Sequence, residues 1–260
     1  MTRSPHTMNN LNTIAIDLAK NVFAVCITNK QNKPIKKRTL NRNQVADFLA
    51  KQPRSLVVME GCTGAHHWAR SALDLGHQVK IVSAKAVSPF RSGQKTDAND
   101  ALAIAVAVHQ PTVHPIEVKT VDQQAIQSIR VLHTHFSDQK TAVSNMIRGL
   151  LSEFGIVFGK GFSELKRQIP EILDSDRIPD LLKAPLALAW VDWQELEQQV
   201  GILDRQLNEF AKQNEACKRL MSLEGVGPIN AIGLYVALGG GSRYQCARSA
   251  SACVGLTPQQ

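Results

Sequence analysis

Residues 13–28 read TIAIDLAKNVFAVCIT, and this stretch decides the fold class. Thr13–Ala19 and Val22–Thr28 are two runs rich in β-branched residues with only a tight connection between them, which predicts two strands opening a sheet. In the middle of the first run stands a lone acid, Asp17. An unpaired charge in an apolar strand is costly, so this carboxylate must either find a partner or coordinate something.

Working outward, the polar stretch NKQNKPIKKRT (29–39) turns the chain and leads into a third strand around Ile35–Leu40. Helical spacing follows over Asn43–Lys51, with Asn43 as a candidate cap. Ser55–Met59 is a short apolar run of buried-strand length. A helix is predicted from Ala65 to Leu75, stopped by Gly76, and Gln78–Ser83 reads as a further strand. Ala86–Thr96 reads as a loop, and Asp97 opens a helix, DANDALAIAVAVH, whose apolar composition implies burial on most sides. Pro111 and Pro115 close that segment. Strands first and helices later point to an α/β sheet domain.

The remainder is helical in pattern. One long helix is expected from Val121 to Phe154 and another from Trp193 to about Gln213, packing on each other or forming a dimer seam. Residues 155–185, interrupted by Gly and Pro, read as short helices and loops.

Bulk properties narrow the function classes. The net charge is +8, and residues 11–110 hold 14 basic against 6 acidic side chains, so the basic excess lies in the sheet domain and favours a polyanionic partner. The five cysteines are scattered with no C-x-x-C pair, which argues against a disulfide framework or zinc knuckle and for a reducing, cytoplasmic setting. The N-terminal apolar run is short and interrupted by Asp17, unlike a signal peptide or membrane span.

Four acids stand out among the six of residues 11–110. Asp17 lies within a strand, and Glu60 closes the SLVVM run just before Gly61, which lets the chain turn. Asp97 and Asp100 sit at i and i+3 on the first turn of a helix, sharing one face and the helix dipole. Each has a plain structural explanation alone: Asp97 as an N-cap, Asp100 as a first-turn acid, Asp17 paired with Lys20, Glu60 paired with Arg70 or Lys95. Together they form an all-oxygen set suited to hard cations, Mg2+ with Mn2+ as a substitute, with two ions able to clamp a phosphodiester. Lys20, Arg91 and Lys95 are candidate phosphate contacts near these acids. The adjacent His66 and His67 point about 100° apart on a helix and suit packing or surface roles better than metal ligation.

The runs IAIDLAKNVF (14–23), MEGCTG (59–64) and KTDANDA (95–101) resemble, in order and spacing, the transposases of DEDD-type insertion sequences, a family that includes the Piv-type DNA invertases. The likeness continues through MSLEGVGPINAIGLYVALGG (221–240) and ACVGLTP (252–258). The resemblance implies an RNase H-like, RuvC-like catalytic domain over 11–115, after a disordered lead at 1–10. A coiled-coil-like helical connector over 116–215 and a small all-α helix-hairpin-helix-like domain over 216–260 complete the expected organisation. It assigns catalysis and metal binding to Asp17, Glu60, Asp97 and Asp100. It further implies metal-dependent cleavage and strand transfer on double-stranded DNA at element ends and target, an element-encoded guide RNA, and a homo-oligomer.

In Leu223–Pro228 (LEGVGP) two glycines, Gly225 and Gly227, permit a tight turn that exposes amides to a phosphate; a plain helix linker is the alternative. The family's catalytic serine lies just beyond the GLTP stretch, whereas Ser242, Ser249 and Ser251 precede it, so a truncated and inactive copy is expected. Other readings are a non-catalytic nucleic-acid binder, a Holliday-junction resolvase-like nuclease, or an actin-like ATPase. The last would want glycines where Lys20–Asn21 follow Asp17.

Overall fold

The computed structural model of the chain describes residues 11–91, 96–239, 241, 244 and 246–255; the expected lead at 1–10 lies outside them. The chain divides into two compact units, one over residues 1–120 with 242–245, the other over 121–241 with 246–260.

The first unit is built on a five-stranded sheet: β1 (Thr13–Asp17), β2 (Val22–Thr28), β3 (Pro34–Asn41), β4 (Leu56–Glu60) and β5 (Gln78–Val82), in the order β3-β2-β1-β4-β5. β1, β2 and β3 are joined antiparallel by short connections, while β4 and β5 add parallel to β1 after helical crossovers. An antiparallel meander extended by two parallel strands is the layout of an RNase H-like domain, as the family resemblance implies.

Strand alternation sorts the core into two faces. On one, Ile14, Ile16, Phe23, Val25, Leu40, Val57, Met59 and Ile81 pack under α1 (Val45–Ala50) and α2 (Ala65–Asp74). On the other, Ala15, Ala24, Cys26, Leu56, Val58 and Val82 lie beneath α4 (Asp97–Ala107) and Val87 of the short α3 (Ala84–Val87). The small side chains Ala15, Ala24 and Cys26 meet Ala101, Ala103, Ala105 and Ala107 of α4, so helix and sheet approach closely. Thr13 Oγ1 hydrogen-bonds His109 Nε2 at 3.1 Å, tying the chain just after α4 to the start of β1. α4 therefore runs antiparallel to β1 and brings its N-terminus to the strand's C-terminal end.

Two local expectations change. The segment read as a loop from Ala86 opens on the end of α3 and a 3-10 turn at Ser88–Phe90, the helix being started by Ser83, whose Oγ accepts from the Ala86 amide. Gly61 has no left-handed conformation; a Cβ there would stand 3.2 Å from the Ile116 side chain, so close packing rather than backbone turning is what favours glycine. Gly76, at φ +85°, ends α2 as expected.

The second unit is helical: α5 (Val121–Ser152), α6 (Phe162–Leu173), α7 (Asp180–Gln213), α8 (Glu215–Met221), α9 (Pro228–Leu238) and α10 (Ala247–Cys253). The two long helices pair within the chain as an antiparallel hairpin. The end of α5 (Ile147, Leu151) meets the start of α7 (Leu186, Trp190, Trp193) over α6. The start of α5 (Ile126) shares a second core with Leu207 and Ala211 of α7 and Ala231, Ile232 and Val236 of α9. α7 begins at Asp180 rather than Trp193, running through Pro185, and α6 runs through Pro170. Pro185 forgoes a bond to the carbonyl of Leu181 in the helix's first turn, and Leu181 is 91% exposed, so water can serve that oxygen.

Candidate metal centre

The sheet register explains why two of the acids are neighbours. β1 and β4 are parallel with Thr13 opposite Leu56 and Ile16 opposite Met59. One residue further, Asp17 and Glu60 end their strands side by side, both on the face covered by α4. At that same sheet end α4 begins. Thr96 caps it, its Oγ1 accepting from the Asn99 amide at 3.4 Å, so Asp97 is not the cap and its carboxylate is left for other work. Asp97 and Asp100 then fall on the first turn, where the helix dipole favours negative charge.

Asp17, Asp97 and Asp100 each bring a carboxylate oxygen to within 4.8 Å of the others. Glu60 stands beside this trio and is joined to it through Arg91, whose NH2 donates to Glu60 Oε2 at 2.8 Å and whose Nε donates to Asp100 Oδ1 at 3.1 Å. All four acids thus meet at one sheet end, three in close contact and the fourth across one guanidinium. The Arg70 partner considered for Glu60 is instead spent on the Lys119 carbonyl at 2.7 Å.

This convergence is electrostatically expensive. Burial, then the neighbouring charges of Asp100, Glu60 and Asp97, push the Asp17 carboxyl up from its ordinary 3.8 to about 6, with Arg91 opposing the rise. One guanidinium does not balance four carboxylates. Burial and the charges of Glu60 and Asp17 also raise the thiol of nearby Cys62.

The donor set tests well against a hard divalent cation. It is all carboxylate oxygen, it comes from a strand end and a helix start held by packed elements, and its central member carries a charge deficit that a cation would relieve. Neither histidine joins it. His66 Nδ1 accepts from the Lys119 amide at 3.2 Å, and burial with the charges of Lys119 and Arg70 lowers its pKa to about 4. His67 is exposed and lies edge-on to Trp68.

Of the candidate phosphate contacts, Lys20 is exposed in the turn leaving β1, and Lys95 lies outside the described residues. Arg91, read from its loop position as a phosphate contact, is engaged with Glu60 and Asp100; no spacing rule in the sequence marks it as their counter-charge. In the second unit Gly225 takes φ +82°, the left-handed conformation the hairpin reading requires, and Gly227 is extended and precedes Pro228 at the start of α9.

Comparison with known proteins adds the following. Residues 14–156 match a family model described as a transposase of the DEDD, IS110 type, and residues 217–260 match one described as the IS116/IS110/IS902 transposase family. The chain is 34% identical over 256 residues to a probable family 20 transposase of Pseudomonas aeruginosa, covering 96% of this chain and 75% of that protein. It is 32% identical over 256 residues to the transposase for insertion sequence element IS1111A of Coxiella burnetii, covering 98% and 70% respectively. A Thermus thermophilus RuvC structure in complex with a Holliday junction substrate aligns with 41% of this chain and 99% of that one, at 11% identity and a TM-score of 0.32.

Proposed function

From the premise that this chain belongs to the DEDD-type transposases of the IS116/IS110/IS902 family, we propose that Asp17, Glu60, Asp97 and Asp100 are its catalytic carboxylates and hold Mg2+, or Mn2+ in its place, for phosphodiester cleavage and strand transfer on double-stranded DNA. The observation that carries the proposal is the convergence of the Asp17, Asp97 and Asp100 carboxylates within 4.8 Å, with Asp17 pushed up to about 6. Bound divalent ions would polarise the scissile phosphate and lower the pKa of an attacking hydroxyl.

The chain's own residues do the rest. Asp17 and Glu60 end two hydrogen-bonded strands, so their backbone positions are fixed relative to each other by the sheet. Asp97 and Asp100 are set by the capped first turn of α4, and the antiparallel docking of α4 on β1 aims that turn at Asp17. Rigid elements of this kind hold a constellation better than loops do. Arg91 neutralises part of the cluster in the metal-free protein, and its side chain, 41% exposed, is placed to exchange a carboxylate partner for a phosphate. In the second unit, the Gly225–Gly227 turn between α8 and α9 supports backbone binding to DNA without base readout.

An RNA partner and self-association belong to the same proposal, by family resemblance. Co-purification of a defined RNA, and a mass above one chain by light scattering, are the results expected of them.

The decisive experiment is nicking or strand transfer of a supercoiled plasmid bearing the element's ends, with Mg2+ against chelator. Wild-type activity that requires metal and is lost in Asp17→Asn, Asp97→Asn and Asp100→Asn supports the assignment. DNA binding with no cleavage under Mg2+ or Mn2+ would reduce the chain to a binder. No helix among the described residues is long and apolar enough to cross a membrane.

A further inference from the structure

A second feature lies at the same end of the sheet and is not used by the carboxylates. Asn21, Asn41, Arg42, Asn43, His67 and Trp68 line an open groove of about 620 Å3. Its residues come from the segments that follow the acid-bearing strands. Asn21 belongs to the turn leaving Asp17, and His67 and Trp68 to the first turns of α2 after Glu60. Asn41–Asn43 close the rim from the end of β3. Among the described residues no acid lines the groove, in contrast to the cluster on the other face of the same sheet end.

Arg42 is its organising side chain. Its backbone amide donates to the Asn21 carbonyl at 2.9 Å, pinning the turn. Its guanidinium lies over the rings of Trp68 at 5.5 Å and Phe23 at 5.9 Å, a preformed cation–π seat. One N–H reaches the Lys20 carbonyl at 3.5 Å, leaving four of the five donors, and no carboxylate pairs with Arg42 among the described residues. Trp68 is only 7% exposed and its indole N–H is buried without a hydrogen-bond partner among the described residues, so it supplies the groove with a ring rather than a donor. A seated guanidinium, several amide side chains and exposed His67 make a surface for phosphodiester oxygens and base edges. Arg42 follows β3, two strands from β1, and with Phe23 and Trp68 it stands on the face covered by α1 and α2, whereas the carboxylates stand on the α4 face, so groove and acids share one end of the sheet from its opposite sides. Two strand spacings plus the step from one face to the other make roughly 10–20 Å, several nucleotides along a strand.

We infer that this groove is a binding subsite for the nucleic-acid strand that reaches the carboxylate centre around the shared end of the sheet, with Arg42 as its phosphate anchor. The inference rests on the proposed function and names where that substrate is gripped. DNA and RNA share the chemistry it recognises.

The test is fluorescence anisotropy in chelator, so that the metal centre is silent, with labelled single-stranded DNA, duplex DNA and RNA of one sequence. Arg42→Gln should weaken binding about 5- to 10-fold in at least one of these arms and lower the slope of log K against log salt by about 1. Asn43→Asp should weaken the same arm by placing an acid on the rim, and serves if the first variant folds poorly. Lys51→Gln removes the same charge from a residue that does not line the groove and should leave binding within about 2-fold. Wild-type binding that survives both groove variants, or that Lys51→Gln weakens as much as Arg42→Gln does, overturns the groove alone. Absence of any nucleic-acid binding by the wild type overturns the proposed function with it.

Discussion

Replacing Asp17 by Asn should make the metal-free protein more stable while removing its response to magnesium. In the folded chain Asp17 is pushed up to about 6, against 3.8 for an ordinary aspartate, by burial first and then by Asp100, Glu60 and Asp97. Since the folded value is the higher one, the native state binds the proton more tightly than the unfolded state. The cost of the charge is absent below about pH 3.8, grows between 3.8 and 6, and is complete above 6. That rise corresponds to about 3 kcal/mol at neutral pH as a ceiling. Solvent reaching this partly open site should reduce it to about 1–2 kcal/mol. At about 2–4 °C per kcal/mol, Asp17→Asn should melt roughly 2–8 °C above wild type at pH 8 in chelator. At pH 4 the two should coincide. Adding Mg2+ should raise the wild-type midpoint and leave that of Asp17→Asn nearly unchanged. Differential scanning calorimetry across pH, with and without Mg2+, reads all of this. A variant no more stable than wild type at pH 8, or a difference that does not vary between pH 4 and 8, would refute the reasoning.

Other outcomes follow from neighbouring features. Arg91→Ala should lower stability in chelator at neutral pH by about 1 kcal/mol, because one partner of a half-exposed pair is lost, yet bind Mg2+ more tightly by calorimetric titration. Weaker Mg2+ binding in that variant would mean that Arg91 orders the acids rather than competing for them. His66, lowered to about 4 from an ordinary 6.5, should cost stability as pH falls from 6.5 towards 4, because only the unfolded chain takes up its proton in that window. Urea titrations of His66→Gln should show a flatter pH profile on the acid side. Gly225→Ala should cost about 1 kcal/mol through its left-handed φ alone, while Gly227→Ala, extended and with open space around its Cβ, should leave the fold intact; denaturation midpoints separate the two. Pro185→Ala should raise the melting point slightly by restoring a backbone hydrogen bond near the start of α7.

The strands of the first unit were legible because burial and β-branched composition coincide in them: Val22–Thr28 is bounded as expected, and Leu56–Glu60 starts and ends within one residue of its expected limits. The long helices are legible from periodicity, but Pro170 and Pro185 look like breaks in the sequence, since composition does not reveal where a lost backbone bond falls in an exposed first turn or at a helix end. The four acids could be picked out because each interrupts an apolar context or opens a helix. What brings Asp17 beside Glu60 is the β1–β4 register, which no local rule supplies. The Arg91 bridge and the Arg42 groove were illegible for the same reason. Arg42 became prominent only when β3 carried it over Phe23 and Trp68, rings drawn from another strand and another helix.

The arrangement gives a physical reason for the contrast between the two ends of α4. At its far end the helix is anchored by the Thr13–His109 hydrogen bond, and along its length small residues lock it to the sheet. At its near end three carboxylates crowd within 4.8 Å, and folding alone does not relieve their repulsion. A helix free to slide would drift until the acids separated. Because the apolar interface runs the length of α4, such a slide would disrupt packing at many points to ease strain at one. The closely packed alanine interface therefore acts as the restraint that keeps a repulsive cluster assembled before any cation arrives. On this reasoning Ala103→Leu, which would lift α4 from the sheet, should lower the about 6 of Asp17 towards ordinary values as well as destabilise the unit. Carboxyl titration by NMR would register that loosening even in a variant that still folds; an Asp17 that keeps its raised value there would show that the restraint lies elsewhere.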